Sequence, residues 1–270
     1  MDPTHPGTRF RIRWLAETAS TNSDVAAAAA AGEPEGLVIA ADHQTAGRGR
    51  MGRTWTAPAG SALLCSFLLR PPVDRVHLAV TAVGCAAAAA CLRVAGVEPG
   101  LKWPNDLVIE LAGEPDRKAG EPAEATGGSW RKLAGILAEA VSDGERVTGV
   151  VVGLGLNVIR PPDFPAELDG IATSLDRVSP AGGVDRRDLL EAICEELEDR
   201  YQVLLDRPSE LMAEYRRRCV TIGQEVRVEQ TGETWEGRAA GVADAGSLEV
   251  ATDEGIRQVQ AGDVVHLRSV

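Results

Sequence analysis

Three glycines and three arginines interleave in Ala46-Gly47-Arg48-Gly49-Arg50-Met51-Gly52-Arg53-Thr54-Trp55. Glycine lets the backbone take φ > 0 and lets a ligand approach with no Cβ in the way. Arginine is always charged, and its planar fork matches carboxylate and phosphate oxygens. A loop built from both suits an anionic ligand laid against backbone. Trp55, at its end, suits closure over a flat group such as adenine. The competing reading is a solvated basic loop. Two lysines add to the cations: Lys102 precedes Trp103-Pro104-Asn105-Asp106, and Lys132 precedes Ala134-Gly135. Several cations in one place suit a reaction in which one anion must approach another. Joining a carboxylate to the α-phosphate of a nucleotide is such a reaction, with cations and usually Mg²⁺ offsetting the repulsion.

Other chemistries find no support. GxxxxGK[ST] is absent, so no Walker-type phosphate loop is expected. Gly153-Leu154-Gly155 imitates a dinucleotide fingerprint, but Val158 stands where its third glycine belongs. Asn157, at the end of that stretch, could still reach a ligand edge. There is no serine nucleophile elbow and no paired-cysteine redox site. The residues alone lead to a site for an anionic, nucleotide-like ligand at which a carboxylate could be activated.

The flanking patterns say what must position these groups. Residues 1–8 read as a disordered start. Phe10 to Leu15 alternates as a strand. Ser20 or Thr21 can cap a following alanine-rich helix with Asp24 in its first turn, and a cap alone is the competing reading of those hydroxyls. Gly36–Asp42 is an apolar strand that delivers Gln44 and the arginine loop, and Leu63–Leu69 is a second strand after it. Scaffolded loops of this kind commonly carry function. His77–Val94 reads as a buried helix. Leu101–Ile109 reads as strand, tight turn, strand, with Pro104 keeping Trp103 out of the helical region and Asn105-Asp106 as turn residues. Polar residues at about 112–129 read as a mobile hairpin insertion. Strands follow at Arg131–Glu139 and Arg146–Leu154. Arg187–Asp206 has helical spacing, Pro208 should end it, and Ser209 should cap a shorter helix through Arg218. From Thr221, five short apolar runs separated by Gly- and Asp-containing turns predict a small closed barrel. The expected domains are 1–218 and 219–270.

Composition bounds the partners. The chain has 270 residues, 44% of them apolar, and a net charge of −12. Such a balance disfavours a broad nucleic-acid or anionic-membrane footprint. Five cysteines without a CxxC pair and four scattered histidines argue against a disulfide framework or a metal cage, so no metal ligands are expected and a reducing cytoplasm is the expected compartment. Leu78–Leu92 is uncharged but shorter than a membrane span.

The set GRGRMGRTW (47–55), KWPND (102–106), RKLAGILAE (131–139) and GLGLNV (153–158), preceded by STN (20–22), closely resembles biotin protein ligases, in the family's order and over nearly the whole chain. The resemblance implies an α+β catalytic domain related to class II aminoacyl-tRNA synthetases and lipoate ligases, a mixed sheet backed by helices, followed by a C-terminal SH3-like barrel. It implies ATP and biotin as substrates, Mg²⁺ with ATP, formation of biotinyl-5′-AMP, and transfer to one lysine of a biotin carboxyl carrier domain of acetyl-CoA or related acyl-CoA carboxylases. A lipoate or octanoate ligase and a non-enzymatic biotin-binding module are the alternatives.

Carried over by motif, Ser20, Thr21, Asn22 and Gln44 should hold the ureido head of biotin. Gly47, Arg48 and Gly49 should line its tail and the phosphate. Arg50 should hold the adenylate and order the loop, with Trp55 covering adenine. Lys132 is the expected catalytic lysine, contacting carboxylate and α-phosphate. Asn105 and Asp106 should sit near the phosphate and the incoming amine, Asp106 as a candidate base, and Asn157 near adenine. Lys102 is expected to brace its turn. The ligase motifs begin within about twenty residues of Met1, leaving no N-terminal helix-turn-helix, so repressor activity is not implied and a monomer is favoured over a dimer.

Overall fold

The computed structural model describes residues 8–111, 129–162, 164, 168, 170–180, 182–230, 232–260 and 263–267. The expected disordered start and nearly all of the expected insertion at 112–129 lie outside them. The larger part of the chain comprises β1 (Arg11–Thr18), α1 (Thr21–Ala30), β2 (Leu37–Gln44), β3 (Ala62–Leu69), α2 (Ala79–Ala95), β4 (Gly100–Lys102), β5 (Asp106–Leu111), β6 (Ser129–Asp143) and β7 (Arg146–Asn157), then α3 (Leu175–Val178), α4 (Arg186–Asp206) and α5 (Pro208–Arg218). The seven strands form one sheet in the order β1-β2-β3-β7-β6-β5-β4. β1 and β2 are parallel, joined through α1, and every other pair is antiparallel.

The two faces of this sheet have different work. Val150, Val152, Leu154 and Leu156 of β7 join Leu63 and Phe67 of β3 in a core shared with α2 and α4. Alanine lines α2 and keeps it close to the sheet; a Cβ on Gly84 would already lie 3.4 Å from Ile136 Cδ1. This helix with its preceding turn, Val73–Ala95, is long and apolar enough to cross a membrane, but most of it is buried in the fold. Alternation along the strands sends Val151, Gly153 and Gly155 to the other face. There α1 packs over Leu37, Ile39, Leu68 and Val151, and the rest of the face is left for a ligand.

Four local expectations are corrected. Ser20 occupies the N-cap position of α1 but its side chain makes no capping bond; Asp24 instead accepts from Thr18 Oγ1 at 2.6 Å. Pro208 ends α4, whose C-cap is Arg207, as expected, and also opens α5, where its missing N–H removes no hydrogen bond. Arg207, at φ −140° and ψ 59°, is the cap residue, in place of Ser209. The third correction concerns Arg146–Leu154, whose strand runs on to Asn157 because Leu156 and Asn157 still pair with Leu63 and Ala62. The fourth concerns the C-terminal sheet. It contains the five expected strands, β8 (Glu225–Gln230), β9 (Glu233–Val242), β10 (Leu248–Thr252), β11 (Gly255–Val259) and β12 (Asp263–His266). Their order is β11-β10-β9-β8-β12, an open ladder among the described residues. β11 and β12 are only 5 and 4 residues long, and each pairs with one inner strand.

The C-terminal sheet is not tethered by a loose linker. Val226, Val228, Val242 and Val250 belong to the same apolar core as α2 and α5. Trp103 fastens the junction, its N–H donating to Thr221 Oγ1 at 3.0 Å and its Nε1 to the Gly246 carbonyl at 2.9 Å. The Trp103–Pro104 peptide is cis, and Asn105 and Asp106 follow it in the chain.

Candidate active site

A cavity of about 290 Å³ opens on the glycine face of the large sheet. Three glycines make room for it. A Cβ on Gly153 would lie 2.2 Å from Asn22 Oδ1, one on Gly155 2.6 Å from Trp55 Cε2, and one on Gly135 3.2 Å from Lys132 Nζ. Gly135 and Gly155 face each other across β6 and β7. The GLGLN stretch is therefore a strand cleared for neighbouring side chains, not a phosphate turn.

One set of lining groups is uncharged and hydrogen-bonding: Ser20, Thr21, Asn22 and Gln44. The first three are only 4%, 3% and 5% exposed, and buried polar groups need partners. Thr21 donates to Gln44 Oε1 from both its N (2.7 Å) and its Oγ1 (3.0 Å). Thr21 Oγ1 lies 2.7 Å from Ser66 Oγ, and Ser66 Oγ donates to Asn22 Oδ1 at 2.6 Å. Ser20, freed from capping, also lines the cavity.

The second set is charged. The arginine loop is a hairpin closed by Trp55 N to Gly47 O (3.0 Å) and Gly49 N to Arg53 O (2.7 Å). Its tip turns through Met51 and Gly52 at φ 54° and 73°, left-handed values that glycine takes without strain. A Cβ on Gly47 would meet Trp55 O at 2.3 Å, so this position requires glycine. The hairpin places Arg48, Gly49 and Arg50 on the cavity, while Gly47 lies on the adjoining cleft. Arg50 donates to Asn105 Oδ1 at 3.0 Å, and Asn105 is held to β6 through Ile136 O and N, at 2.8 and 2.9 Å.

Lys132 reaches the cavity because β6 carries a bulge. Leu107 pairs with Ala134 but Val108 pairs with Lys132, leaving Leu133 as the extra residue. Leu133 and Ala134 both enter the core, and Lys132 and Gly135 consequently share the ligand face; bulges near active sites often re-aim a side chain in this way. The Lys132 ammonium lies 2.7 Å from Asp106 Oδ1 and 5.8 Å from the centre of the Trp55 ring. Lys102, Val264 and Val265 complete the wall from the side of the C-terminal sheet. His266 contacts Thr221 Oγ1 at 3.0 Å; burial, helped by the Lys102 charge, lowers its pKa to about 4.

The structure thus brings together nearly all the residues singled out from sequence. Gly47 lies only on the adjoining cleft, and Asn157 lines neither: its Nδ2 donates to Thr173 O at 3.0 Å. Two further residues, neither of which lines the cavity, brace the side chains that do. Ser66 had a signal, being the polar residue of the otherwise apolar β3. Glu139 closes the RKLAGILAE stretch, and its Oε2 accepts from Asn22 and Arg48. Among the described residues, no three His, Cys, Asp or Glu side chains converge as a metal cage.

The comparisons with known proteins agree with this geometry. Residues 17–157 match the Biotin/lipoate A/B protein ligase family, and residues 221–267 match the Biotin protein ligase C terminal domain. The biotin--[acetyl-CoA-carboxylase] ligase of Mycobacterium tuberculosis is 40% identical over 264 residues, covering 94% of this chain and 88% of that protein. The bifunctional ligase/repressor BirA of Bacillus subtilis is 34% identical over 239 residues, 86% of this chain. The chain spans 66% of the length of that relative. In fold, it is similar to the biotin protein ligase from Aquifex aeolicus solved in complex with biotin and ATP, with a TM-score of 0.75, 24% identity, and coverage of 96% of this chain and 99% of that one. With a family model over more than half its length and a relative matched almost end to end, the chain belongs to the biotin/lipoate protein ligase family.

Proposed function

We propose that the chain is a biotin–carrier-protein ligase. It would join biotin to ATP as biotinyl-5′-AMP, releasing pyrophosphate, and then pass the biotinyl group to a lysine of the biotin carboxyl carrier domain of an acyl-CoA carboxylase, releasing AMP. The single observation that carries this reading is the pairing of a buried, uncharged hydrogen-bonding pocket with a cluster of cations in one cavity. A cyclic urea offers both donors and an acceptor, which suits Ser20, Thr21, Asn22 and Gln44. The dithiolane of lipoate offers neither, and would leave those groups unpaired, a mismatch that selects strongly against it.

In the first step a biotin carboxylate oxygen attacks the α-phosphorus and the bond to the β-phosphate oxygen breaks. Both reactants are anions. Lys132, Arg48 and Arg50 offset their repulsion and stabilise charge growing on the transferring phosphoryl group. Mg²⁺ would arrive on the ATP phosphates, which supply oxygen ligands of the kind it prefers. Trp55 provides an apolar surface beside Lys132 and, with the hairpin, shelters the mixed anhydride from water. In the second step the carrier amine must be neutral to attack the acyl carbon. Asp106, on the cavity wall beside Lys132, would take its proton, and AMP departs. Buried free thiols at all five cysteines suit a reducing cytoplasm.

Pyrophosphate release with ATP and Mg²⁺ tests this, comparing biotin, lipoate and octanoate, with and without a carrier domain. Release with biotin only, turning over when carrier is added, is the expected result. Release with lipoate would change the substrate, and release with none of the acids would leave only a binding module.

A further inference from the structure

Glu139 lies beside the cavity, on the adjoining cleft. Its Oε2 accepts from Asn22 Nδ2 at 2.7 Å and from an Arg48 NH₂ group at 2.9 Å. Arg48 also donates to Ser23 Oγ at 3.2 Å. From Asn22 the hydrogen bonds continue through Ser66 and Thr21 to Gln44. An unbroken chain thus runs from the floor of the uncharged pocket to an arginine of the hairpin. The Asn22 amide lies directly over Gly153, where a Cβ would come within 2.2 Å of its Oδ1.

A carboxylate beside a site for two anions works against binding by Coulomb repulsion. An exposed ion pair by itself contributes little to stability, and Arg48 and Glu139 are both partly exposed. The presence of a carboxylate here is therefore explained by what it holds in place. We propose that Glu139 is a positioning residue that couples the uncharged pocket to the arginine hairpin. A ligand seated on Gln44, Thr21 and Asn22 then also sets Arg48 for the anionic part of the reaction. This inference rests on the ligase reading above. By linkage, the factor by which biotin tightens nucleotide binding equals the factor by which nucleotide tightens biotin binding. Asn22 keeps a second acceptor in Leu137 O, at 3.3 Å, so loss of the Glu139 carboxylate loosens chiefly Arg48.

The test uses the full chain as wild type, Glu139→Ala and Glu139→Gln. Biotin affinity is measured by calorimetry alone and with α,β-methylene-ATP. Trypsin cleavage at Arg48, Arg50 and Arg53 is followed with and without biotin. The glutamine variant keeps the shape and one acceptor oxygen, removes the charge and puts an amide NH₂ in place of the other oxygen. In both variants biotin alone should bind within about twofold of wild type, while the coupling factor falls by about fivefold or more toward unity, and biotin should no longer slow cleavage of the hairpin. Wild-type coupling and protection in both variants would overturn the role, as would a loss of biotin affinity as large as the loss for nucleotide. A wild-type protein that binds no biotin would instead overturn the ligase reading itself.

Discussion

The indole of Trp55 occupies the space a side chain on Gly155 would need, since a Cβ built there lies 2.6 Å from ring atom Cε2. β7 is hydrogen-bonded on both sides, to β3 and β6, so the strand cannot retreat and the ring must move. Gly155→Ala should therefore lift the surface on which Lys132 rests while leaving Thr21 and Gln44 undisturbed. The affinity for ATP should fall about tenfold more than that for biotin, an effect of about 1.4 kcal/mol. Trp55→Ala should show the same bias. Equal losses for the two ligands would make this tryptophan purely structural.

Lys132→Ala removes the ammonium that the proposed reaction sets against the transferring phosphoryl group. Loss of one such stabilising group typically lowers turnover by about 10²–10³. The ion pair with Asp106 is partly exposed, with side-chain exposures of 37% and 23%, so the melting temperature should barely change. Near-normal pyrophosphate release in this variant would remove Lys132 from the mechanism.

Arg50→Gly breaks the tie from the hairpin to Asn105. Biotinyl-AMP should then escape faster, and free adenylate should label lysines on unrelated proteins. The dissociation rate of biotinyl-AMP, measured by chase with unlabelled ligand, decides it: a rate equal to wild type would rule out retention by Arg50.

The junction between the sheets should weaken in acid. His266 has a folded pKa lowered to about 4, below the ordinary value of about 6.5. Between those values the unfolded chain binds a proton that the folded chain does not, so stability is full above about pH 6.5 and declines as pH falls toward 4. Thermal melts of wild type and His266→Gln across this range isolate the effect from that of the carboxylates. Parallel pH profiles in the two proteins would show that His266 carries none of it.

Much of this site could be read from the chain because its key residues cluster in short motifs. The hairpin glycines and arginines are contiguous, and strand alternation puts Gly153 and Gly155 on one face. Other features depend on pairing across distant strands. The bulge at Leu133 follows from how β5 meets β6, and no local pattern announces that Lys132 and Gly135 will share a face. Ser20 suits a cap by type, yet its side chain makes no capping bond and instead lines the cavity. Asn157 ends β7, but the segment carrying Thr173 passes close enough to take its amide. The open ladder of the C-terminal sheet depends on which strands pair, which turn spacing alone does not determine.

The ladder between β3 and β7 joins residues 81 to 95 positions apart, from Ala62 opposite Asn157 to Leu69 opposite Val150. Thr21, Gln44 and the hairpin belong to one side of that seam, and Lys132 and Asp106 to the other. A partly folded chain holding either side alone has no complete cavity. Ligands should therefore add stability only to the fully assembled state. In native-state hydrogen exchange, biotin with nucleotide should slow the amides of β2 and β6 together, as one cooperative unit, rather than those nearest each ligand alone.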